Sequence, residues 1–380
     1  MGLPVSRSGD ASGMRASDQR SQFASAYRVL EDAIAARAFP GCAFGALANG
    51  EVALQDALGR FTYEECAPAV TAGTIYDVAS LTKVVATTSA AMLLYQRGQL
   101  DLDTPLGELL PGFVVGRPRE DRARDVTVRH LLAHSSGLPG YVDFFKSAAK
   151  PAALFRACLE LKLEADPGTR AEYSDPGFIL LGKALEVLMR EDLAPWMRRE
   201  VFEPLSLSAT LYCPPPALRS TIPPTEEDAN FRHNRIQGEV QDENAWVLKG
   251  VAGHAGLFSN VTDLLRFVRE VLRSVGKAGA ESGESRLFRE ETLRLFAERQ
   301  GPEGSSRAVG WDTPSGDSTS GRYFSRDSIG HLGFSGCSLW IDLDAGIAVV
   351  LLTNRTWPDR GSRKIREVWP VFHDAIREAL

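Results

Sequence analysis

Two strand-turn-strand patterns, one near each end of the chain, constrain its fold more than any other feature. Near the N-terminus, Cys42-Ala43-Phe44-Gly45-Ala46-Leu47-Ala48, then Asn49-Gly50, then Glu51-Val52-Ala53-Leu54 spell a hairpin with Asn-Gly at the favoured two-residue turn. Near the C-terminus, Ser338-Leu339-Trp340-Ile341-Asp342-Leu343, the turn Asp344-Ala345-Gly346, and Ile347-Ala348-Val349-Val350-Leu351-Leu352 spell another. Its last strand is apolar enough to be covered on both faces. Between the hairpins helical signals dominate, over residues 84–97, 128–134 with Thr127 as N-cap, 151–163 and 177–190. Further helices are predicted over 23–37, 263–274 and 364–379. Strands at both ends around a helical middle predict an α+β chain: one antiparallel sheet built from both terminal segments, flanked by helices, with an inserted mostly helical lobe and the active site between them. The predicted divisions are a flexible polar tail over 1–22, a sheet lobe from 23–79 and 250–380, and a helical lobe over 80–249. Stretches rich in glycine and serine, 276–285 and 301–322, read as mobile loops.

Composition narrows the class. A chain of 380 residues can bury a large core in two lobes. Its formal charge of -6 and single short basic run, Arg360-Gly361-Ser362-Arg363-Lys364, lack the footprint of a nucleic-acid binder. No stretch has the length and apolarity of a membrane span, and residues 1–24 carry no apolar signal region, so a cytoplasmic location is expected unless the true start lies upstream. The five cysteines are scattered, without a Cys-x-x-Cys pair, and read as free thiols, with no metal or cofactor implied. The expected partner is a small molecule; the oligomeric state stays open.

The chemistry centres on Ser80-Leu81-Thr82-Lys83, where the strand-like Thr74-Ile75-Tyr76-Asp77-Val78 gives way to an apolar helix closed by Gly98. A serine on the first turn of a buried helix has its hydroxyl near the positive end of the helix dipole, and a lysine three residues on shares its face. A lysine in a partly apolar cleft can lose its charge, take the serine proton and let the oxygen attack a carbonyl. Ser147-x-x-Lys150 and Ser274-x-x-Lys277 match the same spacing, but one runs into Pro151 and the other into a loop-like stretch. Tyr173-Ser174-Asp175, ahead of the helix opened by Pro176, displays a phenol at a helix N-terminus. His331-Leu332-Gly333-Phe334 precedes a strand, where a glycine lets a substrate approach an edge backbone.

With these three motifs the sequence resembles the serine β-lactamase and penicillin-binding protein superfamily, most closely its class C-like branch of esterases, D-amino-acid peptidases and related hydrolases. His130-Leu131-Leu132-Ala133-His134-Ser135-Ser136-Gly137-Leu138-Pro139, Gly253-His254-Ala255-Gly256-Leu257-Phe258-Ser259 and Gly333-Phe334-Ser335-Gly336-Cys337-Ser338-Leu339-Trp340 carry the likeness further. The resemblance implies acyl transfer to ester, D-amino peptide or β-lactam type substrates. Ser80 would be the acylated nucleophile, Lys83 its base and Tyr173 the second proton-transfer group. The N–H groups of Ser80 and Phe334 would form the oxyanion hole, with Asp175, His331, Gly333 and Phe334 as substrate-binding residues. Tyr173 can act as a base only if a cation, Lys83, brings its pKa well below about 10, so the two should titrate as a pair.

Two positions depart from the family pattern. Asp175 stands where asparagine is usual; it either holds Lys83 charged or, the reading favoured by Pro176, caps the following helix. His331 stands where β-lactamases carry lysine, a weaker anchor for a carboxylate and one that favours esters or small amides over penicillins. His254 is read as a structural histidine bonded to backbone or a cleft-lining one, and Asp242-Glu243-Asn244 as a substrate loop or a surface turn. A catalytically weak relative that keeps the cleft to bind a ligand is the competing reading of the whole.

Overall fold

The computed structural model describes residues 16–279, 285–316 and 318–380. Its main sheet has five antiparallel strands: β1 (Gly41–Ala48), β2 (Glu51–Gly59), β3 (Ser328–Leu332), β4 (Ser338–Asp342) and β5 (Ile347–Thr353). Their order is β2-β1-β5-β4-β3, so the two predicted hairpins join through β1 and β5, with Cys42 opposite Thr353 and Ala48 opposite Ile347. Asn49 and Gly50 both take positive φ, 53° and 81°, as a tight two-residue hairpin turn requires. The terminal segments therefore close one sheet, as the hairpins imply.

Side chains alternate across that sheet with period two. Cys42, Phe44, Ala46, Trp340, Val349 and Leu351 face a core shared with the helices Ala24–Ala35 and Ile365–Ala379. Ala43, Leu47, Leu339, Ile341, Val350 and Leu352 face the opposite way, into the core continuous with the helical lobe. The helix Val261–Ser274 lies on this second face, and a Cβ on Gly45 would come within 2.8 Å of Leu265 Cδ1. Each large side chain so buried contributes about 1.5–3 kcal/mol, enough to hold the sheet against both layers.

Two expectations need correction. Residues Ala16–Gln22 of the expected flexible tail are helical, and Gln22 Nε2 donates to Ala379 O at 2.9 Å; residues 1–15 lie outside the described ones. The segment 301–322 is no free loop, because Ala308, Val309 and Trp311 are buried in the core and Gly310 N–H donates to Leu132 O. Of the expected loop 276–285, residues 280–284 lie outside the described ones. Among the described residues no helix is long and apolar enough to cross a membrane.

Candidate active site

Ser80 is presented by a short strained turn. Tyr76–Asp77 pairs with Leu257–Ser259, and buried Asp77 then accepts the N–H of Ala79 at 2.8 Å and that of Gln241 at 2.7 Å. Burial pushes the Asp77 carboxyl up to about 6 despite these bonds. Ala79 takes φ of 47°, a left-handed conformation unfavourable for alanine, and swings the chain into the helix. That helix is not regular: Lys83–Thr88 is a fully buried π-helical stretch continued by the α-helix Ser89–Gln96. Irregular turns of this kind cluster at functional sites because they re-aim side chains. Ser80 therefore precedes the helix on a tight turn, rather than lying on a regular first α-turn.

Lys83 is sealed from solvent and its three ammonium hydrogens have three acceptors: Ser80 Oγ at 3.1 Å, Asp175 Oδ1 at 2.7 Å and the His254 carbonyl at 3.1 Å. Burial alone would lower its pKa; Asp175 and then Tyr173 outweigh burial and hold it above the ordinary lysine value. The Tyr173 ring packs against this lysine, its centroid 4.7 Å from Lys83 Nζ, which brings the phenol close to Lys83 and Ser80. Burial raises its pKa, Lys83 opposes that and Asp175 adds to it, so the resting phenol keeps its proton. The expectation of a Tyr173 pKa well below the ordinary value is thus not met in this resting arrangement.

Burial is the main reason and Asp175 adds to it, in a role that corrects the favoured reading of that residue. The cap of the helix Asp175–Met189 is Ser174, whose Oγ accepts the Gly177 N–H at 3.0 Å and donates to Pro139 O. Released from capping, the Asp175 carboxylate turns to Lys83 while still lining the cleft.

The opposite wall is the end of edge strand β3 and the turn after it. Gly333 is tightly placed: a Cβ there would lie 2.6 Å from the carbonyl oxygen of Val78, two residues before Ser80. The close approach is to the segment that leads into Ser80, and Gly333 also lines the cleft. The N–H groups of Ser80 and Phe334 engage no acceptor among the described residues, which leaves both available to an oxyanion. His331 is buried, with Nδ1 2.7 Å from the Leu332 carbonyl, so Nδ1 carries the hydrogen and Nε2 is a bare acceptor without a protein partner. Burial, then the charges of Lys83 and Arg307, pushes its pKa well below the ordinary histidine range.

The cleft has a volume of about 1000 Å³, and the contributions of His134 and Arg307 to the Tyr173 surroundings were not anticipated. His134 stacks on Tyr173 at 4.6 Å between ring centroids and accepts the Ser174 N–H at 3.0 Å, which fixes the tyrosine loop. The Arg307 guanidinium carbon lies 5.3 Å from the Tyr173 ring centroid. His254 bonds a carboxylate, Asp242 Oδ1 at 2.8 Å, rather than backbone, so Asp242 is a cleft residue and not a surface turn. Ser335 is buried and donates to Asp77 O; the second serine-lysine spacings lie elsewhere, with Ser274 ending a helix and Pro151 opening one.

A family model described as Beta-lactamase matches residues 27–369. An N-acetylmuramyl-L-alanine amidase of Bacillus subtilis is 31% identical over 361 residues, covering 86% of this chain and 80% of its own. Among solved structures, EstCE1, a hydrolase with promiscuous acyltransferase activity, is 21% identical with a TM-score of 0.74, covering 94% of this chain and 99% of its own. An octameric penicillin-binding protein homologue from Pyrococcus abyssi is 20% identical with a TM-score of 0.69, covering 93% of this chain and 76% of its own. At such identities these two likenesses speak to the fold alone. The matched span runs from the first core helix to the last and the amidase relative follows it over most of its length, so the chain belongs to the beta-lactamase family and is a serine hydrolase.

Proposed function

We propose that the protein hydrolyses a small ester or amide through an acyl-enzyme on Ser80. The observation that carries this reading is the contact of a fully buried ammonium, Lys83 Nζ, with Ser80 Oγ at 3.1 Å inside the cleft. The Lys83–Tyr173 pair must first lose one proton. Ser80 Oγ then attacks the carbonyl carbon as its own proton passes to the pair, and the N–H groups of Ser80 and Phe334 hold the oxyanion. Tyr173 next donates its O–H to the leaving oxygen or nitrogen as that bond breaks. Water attacks the acyl-Ser80 carbonyl, the pair takes the water proton, and Ser80 recovers its hydrogen on release.

Neutral His331, in place of a cation, disfavours penicillins and favours esters or small amides. The Bacillus subtilis relative is, by its name, an amidase. A binding-only reading has one observation in its favour, the 2.7 Å Lys83–Asp175 pair, which keeps the base charged. The test is intact-protein mass after exposure to p-nitrophenyl acetate and, separately, to a penicillin. An adduct or turnover present in the wild type and absent from Ser80→Ala supports acyl-Ser80 chemistry. No adduct and no turnover with either compound supports the binding-only reading.

A further inference from the structure

The two N–H groups available to an oxyanion, those of Ser80 and Phe334, lie on separate turns, and Asp77 bonds to the chain neighbour of each. Its Oδ1 accepts the N–H of Ala79, the residue before Ser80, at 2.8 Å. Its main-chain carbonyl accepts the hydroxyl of Ser335, the residue after Phe334, also at 2.8 Å. The remaining carboxylate oxygen, Oδ2, accepts the N–H of Gln241 at 2.7 Å. Beside Gln241, Asp242 Oδ1 lies 2.8 Å from His254 Nε2, and the His254 carbonyl accepts from the Lys83 ammonium at 3.1 Å. From the Ser80 turn the bonds thus run through Asp77, the Gln241–Asp242 segment, His254 and Lys83, and return to Ser80 Oγ. In such a closed circuit the nucleophile, its base and the oxyanion donors cannot shift independently.

An ionised acid at this position is costly. Asp77 is 2% exposed, and no cation lies within ion-pair distance of it among the described residues. Burial outweighs the two N–H bonds in raising its pKa to about 6; Asp242 adds to the rise, and Arg232, itself paired with Asp228, opposes it. Folding therefore favours the protonated acid, and the ionised form present at pH 7 works against stability. Geometry gives the reason for a carboxylate. Two N–H donors converge on one side chain, and the uncharged isostere asparagine offers a single oxygen while turning its own N–H groups against the second donor. The Ala79 bond matters most at the nucleophile, because Ala79 is held at φ 47° and that bond offsets part of the strain. The Ser335 link is independent of charge. Ser335 is fully buried and its own carbonyl accepts the Arg355 N–H and the Thr353 hydroxyl, so its side chain ties an anchored turn to the segment before Ser80.

We infer that Asp77 is a positioning residue for acylation: it holds the Ser80 turn, the Phe334 turn and the Gln241–Asp242 segment in one register, so that both N–H donors meet the same carbonyl oxygen. The inference rests on the acyl-Ser80 reading. Asp77 acts through the groups it holds, since both of its carboxylate oxygens are already engaged by backbone N–H groups.

The test is single-turnover release of p-nitrophenolate from p-nitrophenyl acetate with enzyme in excess, which separates the acylation rate constant from the dissociation constant of the ester. Wild type, Asp77→Asn and Ser335→Ala are compared, each checked for folding by circular dichroism. Asp77→Asn should acylate at least about thirtyfold more slowly and Ser335→Ala about three- to tenfold, with ester affinity within about twofold of the wild type, because alignment in the transition state is lost and ground-state binding is not. Phenylboronic acid, whose boron takes the Ser80 oxygen into a tetrahedral adduct as the hydroxyl proton passes to the Lys83–Tyr173 pair, should bind more weakly by a similar factor in each variant. A merely structural role would lower the amplitude of release and leave its rate unchanged. Folded variants that acylate at the wild-type rate, or that lose ester affinity alone, overturn the role of Asp77. Should Asp77→Asn fail to fold, Ser335→Ala decides: slowed acylation with a parallel loss of boronic acid affinity supports the inference, and wild-type values for both overturn it. Neither release nor a Ser80 adduct from the wild type sinks the acyl-Ser80 reading and this inference with it, whereas a reactive wild type with unaffected variants sinks the inference alone.

Discussion

Replacing Asp175 by Asn removes one oxygen's charge from 2.7 Å beside the Lys83 ammonium and changes almost nothing else, because Ser174, not Asp175, caps the helix. At that distance and an effective dielectric of about 20, the Coulomb attraction has a ceiling of about 6 kcal/mol. The asparagine Oδ1 still accepts a hydrogen bond from Nζ and water fills part of the gap, so about half survives as the difference between charged and uncharged lysine, about 3 kcal/mol or two powers of ten. The sign follows from the mechanism. The pair must lose a proton before Ser80 can give one up, so kcat/KM rises with pH, and Asp175 displaces that rise toward alkaline pH by holding the proton. Asp175→Asn should therefore move the rise toward lower pH and increase kcat/KM for p-nitrophenyl acetate at pH 7 by about ten- to a hundredfold. The assay is the spectrophotometric rate from pH 5 to 10, with acyl-enzyme mass at each end. A variant slower at every pH, with the profile unmoved, would refute the reasoning and make Asp175 a positioning residue for Lys83.

Other expectations follow from single contacts. His373 is buried between Ser338 Oγ and Thr319 O, and burial lowers its pKa from 6.5 to about 4. Its contribution to stability is present above pH 6.5 and lost as pH falls toward 4, so urea unfolding at pH 7 and 4.5 should show the wild type losing about 2 kcal/mol more than His373→Asn; equal losses would contradict this. Gly333→Ala drives a Cβ against Val78 O and Cys337, which should displace the Ser80 segment and lower kcat/KM by about a hundredfold; wild-type kinetics would show that the oxyanion position does not depend on that contact. His134→Ala leaves the buried Ser174 N–H without its acceptor and should cost about 1–3 kcal/mol in urea unfolding, together with slower acylation as Tyr173 loses its stacked neighbour. A variant as stable as the wild type would mean that water replaces the ring.

What the sequence revealed depended on whether the signal was local. Asn49-Gly50, the apolar run 347–352 and the serine-lysine spacing at Ser80 are each written in a few adjacent residues, and β1, β2, β4, β5 and the Ser80–Lys83 contact follow them. Strand β3 was not legible because Gly330 interrupts its pattern. Its place in the sheet is secured from outside, by the Trp340 ring of the neighbouring strand lying over it, so close that a Cβ would stand 2.4 Å from ring carbons. Ser174 and Asp175 are both good caps, and only the backbone at Ser174 decides between them. Asp242 with His254, and Arg355 with the carbonyl of Phe334, are pairings between distant segments that leave no local trace.

The places where local rules are broken converge on one serine, and that convergence has a physical cause. Ala79 is left-handed, Lys83–Thr88 is π-helical, His134 is left-handed at φ 52°, and Gly333 meets Val78 O closer than any side chain permits. Each costs of order 1–3 kcal/mol where it departs from a relaxed backbone. No one of them improves the core, whose sheet and helices alternate and pack regularly around them. Together they place the Ser80 turn against the Gly333–Phe334 turn, with the N–H of each left without a protein acceptor, and bring Lys83, Tyr173 and Asp175 into one buried proton network. A chain selected for stability alone would relax them. Their concentration around Ser80, supported by an otherwise regular scaffold, is what a preorganised acyl-transfer site requires, because donors fixed in advance need no reorganisation as charge develops on the carbonyl oxygen.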